Sequence, residues 1–145
     1  MRRLAPALAA MALMAGCGGG GTDTPEGATE AFFKAVGAGD AGKACELVAY
    51  PVDGKRYATA VFGPMVRGTS GREGDPCEDV VAALPEKRRQ QFSNVKIDGT
   101  AEVTGSEARV KTTFPAENDP DLTLADYTVK LEKAGDSWKV ASIAG

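Results

Sequence analysis

The chain has 145 residues, with 17 lysines and arginines against 20 aspartates and glutamates, a formal net charge of −3 and no histidine. The lack of histidine excludes Ser-His-Asp and Cys-His catalytic arrangements, and it excludes zinc sites that use histidine ligands. The acidic balance is the opposite of the lysine and arginine stripe with which proteins bind nucleic acid, so we expect no nucleic-acid partner.

Residues 1–16 have the composition of a signal peptide. Arg2 and Arg3 provide a basic start, and residues 4–15 form an apolar run. This run is too short for a transmembrane helix, which needs roughly 20 apolar residues. We therefore expect residues 1–16 to direct export. Ordinary secretory cleavage and a retained anchor are the alternatives to the lipoprotein interpretation that follows.

The end of this run, Leu13-Met14-Ala15-Gly16-Cys17, places small residues directly before a cysteine. It resembles the lipobox of bacterial lipoproteins. The resemblance implies cleavage before Cys17, a diacylglyceryl group on its sulfur and a further fatty acid, such as palmitate, on its new amino terminus. Two acyl chains anchor a protein stably, whereas one binds only marginally. We expect a lipid-anchored protein of the cell membrane that faces outside the cytoplasm.

The rest of the chain divides into a tether and one domain. Residues 17–24 contain four consecutive glycines, a composition typical of a flexible tether. Residues 25–145 have about the modal size of a single domain, and no repeat or second linker divides them. Loss of Arg2 and Arg3 with the signal peptide would change the formal charge of the mature protein from −3 to −5. The lipid, rather than a basic patch, would then hold it at an anionic membrane.

The domain begins with helical patterns. Thr24 and Pro25 are typical of a helix start, where a hydroxyl caps and proline suits the first turn. Apolar residues at helical spacing follow, namely Ala28, Ala31, Phe32, Ala35 and Val36. The pattern predicts a helix that ends at Gly37-Ala38-Gly39.

Two or three shorter helices are predicted next. Asp40 is placed to cap a second helix that continues through Val48. Residues 52–74 show no clear period and are interpreted as a loop-rich stretch. Asp75 is placed to cap a third helix, and residues 86–91 predict a short polar helix or turn.

From residue 95 the apolar period changes from helical to twofold. Alternation predicts four strands, at residues 95–104, 108–114, 122–132 and 138–143. Gly105-Ser106 and residues 134–136 are typical of tight hairpin turns, and Gly99 predicts a bend in the first strand. The second half of the domain is therefore expected to be an antiparallel sheet.

Helices followed by a curved antiparallel sheet, with a last strand Gly-Asp-Ser-Trp-Lys-Val-Ala-Ser-Ile, resemble the nuclear transport factor 2-like superfamily. The likeness is strongest over Ala28–Val36, Val95–Phe114 and Trp138–Ile143. More specifically, the chain is similar to the small bacterial lipoproteins of that superfamily. The resemblance implies an α+β fold in which N-terminal helices cover the concave face of a cone-shaped sheet.

Cys45 and Cys77 remain once Cys17 is assigned to lipid. They are an even pair in an oxidising compartment, each on the apolar side of a predicted helix, which predicts a structural disulfide. Closing a loop of about 33 residues would stabilise the fold by roughly 3.5 to 4 kcal/mol in the chain-entropy model. A redox or metal-binding pair is the alternative, but the sequence offers neither CxxC spacing nor histidine for it.

Two functional hypotheses follow, and neither requires a catalytic residue, a metal or a cofactor. The first is a noncatalytic interaction module that binds another envelope protein through the open sheet face or residues 52–74. The second is a carrier or sensor that holds a small apolar ligand in the cone. Its pocket would be lined by Phe32, Val36, Val61, Phe62, Val110 and Phe114. A pocket blocked by these side chains favours the first hypothesis, and a continuous cavity favours the second.

A third, catalytic alternative would use Asp53 as a base with Tyr50 or Tyr57 as a proton donor. Amphipathic packing, with the phenol hydroxyl reaching water, is the simpler interpretation of these tyrosines. We therefore expect the protein not to be an enzyme.

Overall fold

The computed structural model describes residues 21–49, 76–114 and 126–144. These residues form an α+β fold, as the sequence predicts. The elements are α1 (Pro25–Ala38), α2 (Ala41–Glu46), α3 (Cys77–Ala82), α4 (Glu86–Ser93), β1 (Lys96–Thr104), β2 (Glu107–Thr113), β3 (Tyr127–Ala134) and β4 (Ser137–Ala144). No helix in these three ranges is long and apolar enough to cross a membrane.

Helix α1 begins and ends where the sequence predicts. The Thr24 hydroxyl accepts a hydrogen bond from the Gly27 amide (3.1 Å), and Pro25 occupies the first turn. The helix ends at Ala38, and Gly39 caps it by donating its amide back to the carbonyl oxygens of Ala35 and Val36. Local signals were sufficient here because caps act within a few residues of the helix end.

Helix α2 is shorter than predicted. Asp40 caps it by accepting from the Lys43 amide (3.1 Å), but the helix ends at Glu46 and does not reach Val48. The next residues pair in parallel with the outer edge of β4. The Val140 amide donates to the Leu47 carbonyl (2.7 Å), and the Ala49 amide donates to the Val140 carbonyl (2.8 Å). A β-branched valine suits this extended backbone better than a helix.

Helices α3 and α4 lie close to the predicted positions. Pro76 precedes α3 as its N-cap, without a capping side chain. The predicted cap, Asp75, lies outside the described residues. Pro85 separates α3 from α4 and begins the second of these helices as its N-cap.

The four strands form one antiparallel sheet in the order β1-β2-β3-β4. Gly105-Ser106 and Gly135-Asp136 make the two predicted hairpin turns. Strand β1 bulges between Asp98 and Glu102, with Gly99 at a positive φ of 73°, as the predicted bend requires. The sheet therefore curves at its first strand.

Strand β1 is buried less than its alternation predicts. Val103 has the inward parity but is 54% exposed, and Ile97 and Ala101 are half-buried. The strand forms an edge of the sheet and has a neighbouring strand on one side only. At the bulge, the Glu26 carboxylate of α1 accepts a hydrogen bond from the Ala101 amide (2.7 Å). This long-range contact satisfies a backbone group that the bulge leaves without a strand partner.

An aromatic cluster joins the helices to the inner face of the sheet. Phe33 of α1 contacts Phe92 of α4 and Phe114 after β2, with ring centroids 5.9 and 5.2 Å apart. Phe32 packs edge-on against Phe33, and Tyr127 of β3 packs edge-on against Phe114. The four phenylalanines of the cluster are at most 2% exposed. Offset and edge-on geometries of this kind add to the free energy of burying the rings.

The cluster predicts a strong dependence of stability on Phe33. Substitution Phe33→Ala should lower the free energy of unfolding by about 3–5 kcal/mol, because a buried ring leaves a cavity in contact with three elements. Urea unfolding followed by circular dichroism measures the change. Val103→Ala is the matched control, since its exposed side chain should contribute within roughly 0.5 kcal/mol. Equal losses in the two variants would contradict the packing described.

Candidate functional site

The cysteine pair forms the predicted disulfide. Cys45 of α2 and Cys77 of α3 are bonded, with their Cα atoms 5.9 Å apart. Cys77 is buried and Cys45 is half-buried. A surface depression of about 440 Å³ lies over the bond, bordered also by Gly42, Glu46, Pro76 and Glu78. The bond ties the end of one helix to the start of another across 32 residues of sequence.

Four of the six residues predicted to line a ligand pocket are part of the hydrophobic core. Phe32, Val36, Val110 and Phe114 are 0–2% exposed and belong to one continuous core cluster. Val61 and Phe62 lie outside the described residues, as do Asp53, Tyr50 and Tyr57 of the catalytic alternative. The structure brings the four described residues together in one core, and the pocket that all six would line stays a prediction.

The opposite, outer face of the sheet is polar. Buried and exposed side chains alternate along β2, so every second residue of this strand points away from the helices. At the β4 edge, the Lys139 ammonium group instead reaches back to the Glu46 carbonyl oxygen of α2 (2.7 Å). We define the outer sheet face as the residues of this parity: Lys96, Asp98, Glu102, Thr104, Glu107, Arg109, Lys111, Thr113, Thr128, Lys130, Glu132, Lys139 and Ser142. All of them are exposed or half-buried.

Charges of both signs are interleaved on this face. Its five basic side chains are Lys96, Arg109, Lys111, Lys130 and Lys139, and its four acidic ones are Asp98, Glu102, Glu107 and Glu132. The cross-strand register places Glu102 opposite Arg109, and Asp98 opposite Lys111. The face is therefore close to neutral as a whole but strongly patterned.

Between β2 and β3 the register brings like charges together. Arg109 lies opposite Lys130, and Glu107 lies opposite Glu132. Like charges directly opposite each other destabilise a sheet by a few tenths of a kcal/mol or more. The diagonal ion pair between Lys130 and Glu107 (3.1 Å) offsets part of this cost. Both side chains are more than a third exposed, so water screens the pair and its contribution to stability is about 0–1 kcal/mol.

The two ends of the outer sheet face differ. At the end away from the hairpin turns, the Thr113 hydroxyl contacts the carboxylates of Asp98 and Asp126. At the end next to the turns, Glu102, Thr104, Glu107 and Arg109 border a shallow depression of about 290 Å³. No three metal-ligating side chains converge in residues 21–49, 76–114 or 126–144. The face thus offers charged hydrogen-bonding groups over a broad, shallow surface.

Comparison with known proteins adds little. No protein-family model matches the sequence, and no curated protein matches it. Among solved structures, the chain is similar to one from the crystal structure of the type VI native effector-immunity complex Tae3-Tai3 from Ralstonia pickettii. The two are 19% identical, the match covers 83% of this chain and 94% of that chain, and the TM-score is 0.45. We draw nothing about function from a likeness at this TM-score.

The disulfide gives a prediction about stability. The double substitution Cys45→Ala with Cys77→Ala should lower the free energy of unfolding by roughly 3–4 kcal/mol, because the unfolded chain regains the entropy of an open loop. Urea unfolding in oxidising and reducing buffer measures it. The variant should match the reduced wild type and should not respond to reductant. A variant as stable as the oxidised wild type would contradict this role of the bond.

Proposed function

We propose that the protein is a noncatalytic protein-interaction module, lipid-anchored to the cell membrane and facing outside the cytoplasm. The proposal rests on a contrast between the inner and outer faces of the sheet. The four phenylalanines packed between the helices and the inner side of the sheet are at most 2% exposed, while the outer sheet face carries nine charged side chains, six of them exposed and three half-buried. A surface of this kind suits recognition of another macromolecule better than enclosure of a small apolar molecule.

The pattern of charge supports a protein partner over a polyanion. Nucleic acid would call for an excess of basic groups, and the outer sheet face has nearly equal numbers of both signs. Interleaved charges favour a surface with the complementary pattern and reject surfaces that place like charges together. Arg109 and Lys130, opposite each other at the centre of the face, form the basic spot that an acidic side chain of a partner would contact.

The proposed location rests on the N-terminal sequence and on cysteine chemistry. Leu13-Met14-Ala15-Gly16-Cys17 has lipobox form. A disulfide between Cys45 and Cys77 persists best in an oxidising compartment, which an exported protein would occupy.

We further propose that the domain belongs to the nuclear transport factor 2-like superfamily. The order of elements supports this proposal, because helices precede a four-stranded antiparallel sheet and α1 packs on one of its faces. The bulges in β1 and β4 would supply the curvature of a cone.

The interaction hypothesis predicts site-dependent crosslinking in cells. A photoreactive benzoylphenylalanine in place of Lys111, on the outer sheet face, should give a discrete protein adduct when intact cells of the native host are irradiated. The same group in place of Gln90 is the control, since Gln90 is also exposed but lies on α4. Adding Arg109→Glu should reduce the Lys111 adduct roughly tenfold through charge repulsion.

Two crosslinking results would contradict the interaction hypothesis. Equal adducts from positions 111 and 90 would mean that the outer sheet face is not selective. If position 111 gives no adduct while the protein is folded and at the membrane, the outer sheet face is not a binding site. Surface substitutions of this kind should change the free energy of unfolding by no more than roughly 0.5 kcal/mol, so loss of the adduct would not reflect unfolding.

The anchor gives a separate prediction. Replacing residues 1–17 with an ordinary cleavable secretory signal should move the folded protein from the membrane fraction to the soluble extracytoplasmic fraction, because the acyl chains of Cys17 are lost. Immunoblotting after fractionation measures the distribution. Circular dichroism should show an unchanged fold. Persistent membrane association would contradict the lipid anchor.

A further inference from the structure

The last residues of the tether pack against the domain. The Trp138 amide donates to the Thr22 carbonyl oxygen (2.7 Å), and Thr24 caps α1. The Gly21 carbonyl oxygen lies against Gly27, where an added Cβ would be only 2.1 Å away. The tether that the sequence assigns to residues 17–24 therefore has its last four residues held on the fold.

This docking point lies at one end of the sheet. Trp138 is next to the β3–β4 turn and pairs with Lys133 on β3. The Lys133 amide donates to the Ser106 carbonyl oxygen (2.8 Å), which brings the β1–β2 turn beside it. We call this end, formed by Gly21–Thr24 and the two hairpin turns, the hairpin end. The opposite end carries Lys96 and Thr113, about 26 Å away along β1.

The remaining reach between Cys17 and the fold is short. Only Gly18, Gly19 and Gly20 separate Cys17 from Gly21, so the two Cα atoms can be at most about 14 Å apart. A domain of this size is roughly 35 Å across. The point at which the chain joins the fold must therefore stay near the lipid surface, while the far end of the sheet need not.

We infer that the hairpin end faces the bilayer, so that the strands stand away from the membrane and the outer sheet face is open to a partner from the side. This inference rests on the proposed lipid at Cys17. The charges of the hairpin end would not hold it to anionic lipid. Three acidic side chains are exposed near this end, Asp23, Glu107 and Asp136, against one exposed basic side chain, Lys133. The short chain between the lipid on Cys17 and the fold, rather than attraction to head groups, sets the orientation.

Energy transfer from tryptophan to lipid tests the orientation. Trp138 is the only tryptophan in the sequence, so Trp138→Phe provides a background for a single new donor. Thr104→Trp and Lys96→Trp place that donor at the two ends of β1, both exposed and on the outer sheet face. Each full-length lipidated variant is reconstituted into phosphatidylcholine vesicles that contain dansyl-labelled phosphatidylethanolamine.

The expected result is a transfer efficiency at least twofold higher from position 104 than from position 96. A ten-residue glycine-serine spacer between Gly20 and Gly21 should reduce this difference, since it adds about 17 Å of average reach. Equal or reversed efficiencies in vesicle-bound protein would overturn the orientation. The native Trp138 gives an independent check without the Phe substitution, because the same spacer should lower its transfer, and unchanged transfer would also overturn the inference.

Flotation of the vesicles separates the two proposals. Protein that floats but shows no dependence on donor position would overturn the orientation and leave the lipid anchor intact. Protein from the native host that fails to float with the vesicles would overturn the anchor, and the orientation would fall with it.

Discussion

The packing of Phe33 between Phe92 and Phe114 is the contact on which the rest of the described structure depends. It joins α1, α4 and the end of β2, and Phe114 extends the contact to Tyr127 on β3. Because these rings pack between the helices and the inner side of the sheet, they hold α1 and α4 against it. The Cys45–Cys77 disulfide adds a second constraint by tying α2 to α3.

The proposed function assigns different roles to the buried core and to the outer sheet face. The apolar side chains of α1 and of the inner side of the sheet pack together, and the two buried threonines among the described residues donate to backbone carbonyls, Thr29 of α1 to Pro25 and Thr112 of β2 to Tyr127. The outer sheet face gives little to stability, since its described ion pair is exposed. Under the proposed function, charges of this face serve recognition of a partner. This division between a stabilising inner face and a recognising outer face is the basis of the proposed function.

Local patterns in the sequence predicted much of this fold. Caps such as Thr24 and Asp40 act within three residues, and alternation from residue 95 onward showed which side chains point outward. Features that depend on distant contacts were not predictable. Val48 lies outside the predicted helix because it pairs with the edge of β4. The register that places Arg109 opposite Lys130 is set only when β2 and β3 pair. The packing of Thr22 on Trp138, which shortens the tether, likewise joins residues more than a hundred positions apart.

Native mass spectrometry tests most directly the claim that the interior is closed and that recognition occurs on the surface. Residues 18–145, exported from the native host behind an ordinary secretory signal, would be measured before and after denaturation. We expect the bare mass of the chain, two hydrogen masses below that of the fully reduced form, with nothing lost on denaturation. Additional mass that denaturation removes would show a small molecule held in the interior, and would contradict the claim in favour of a carrier.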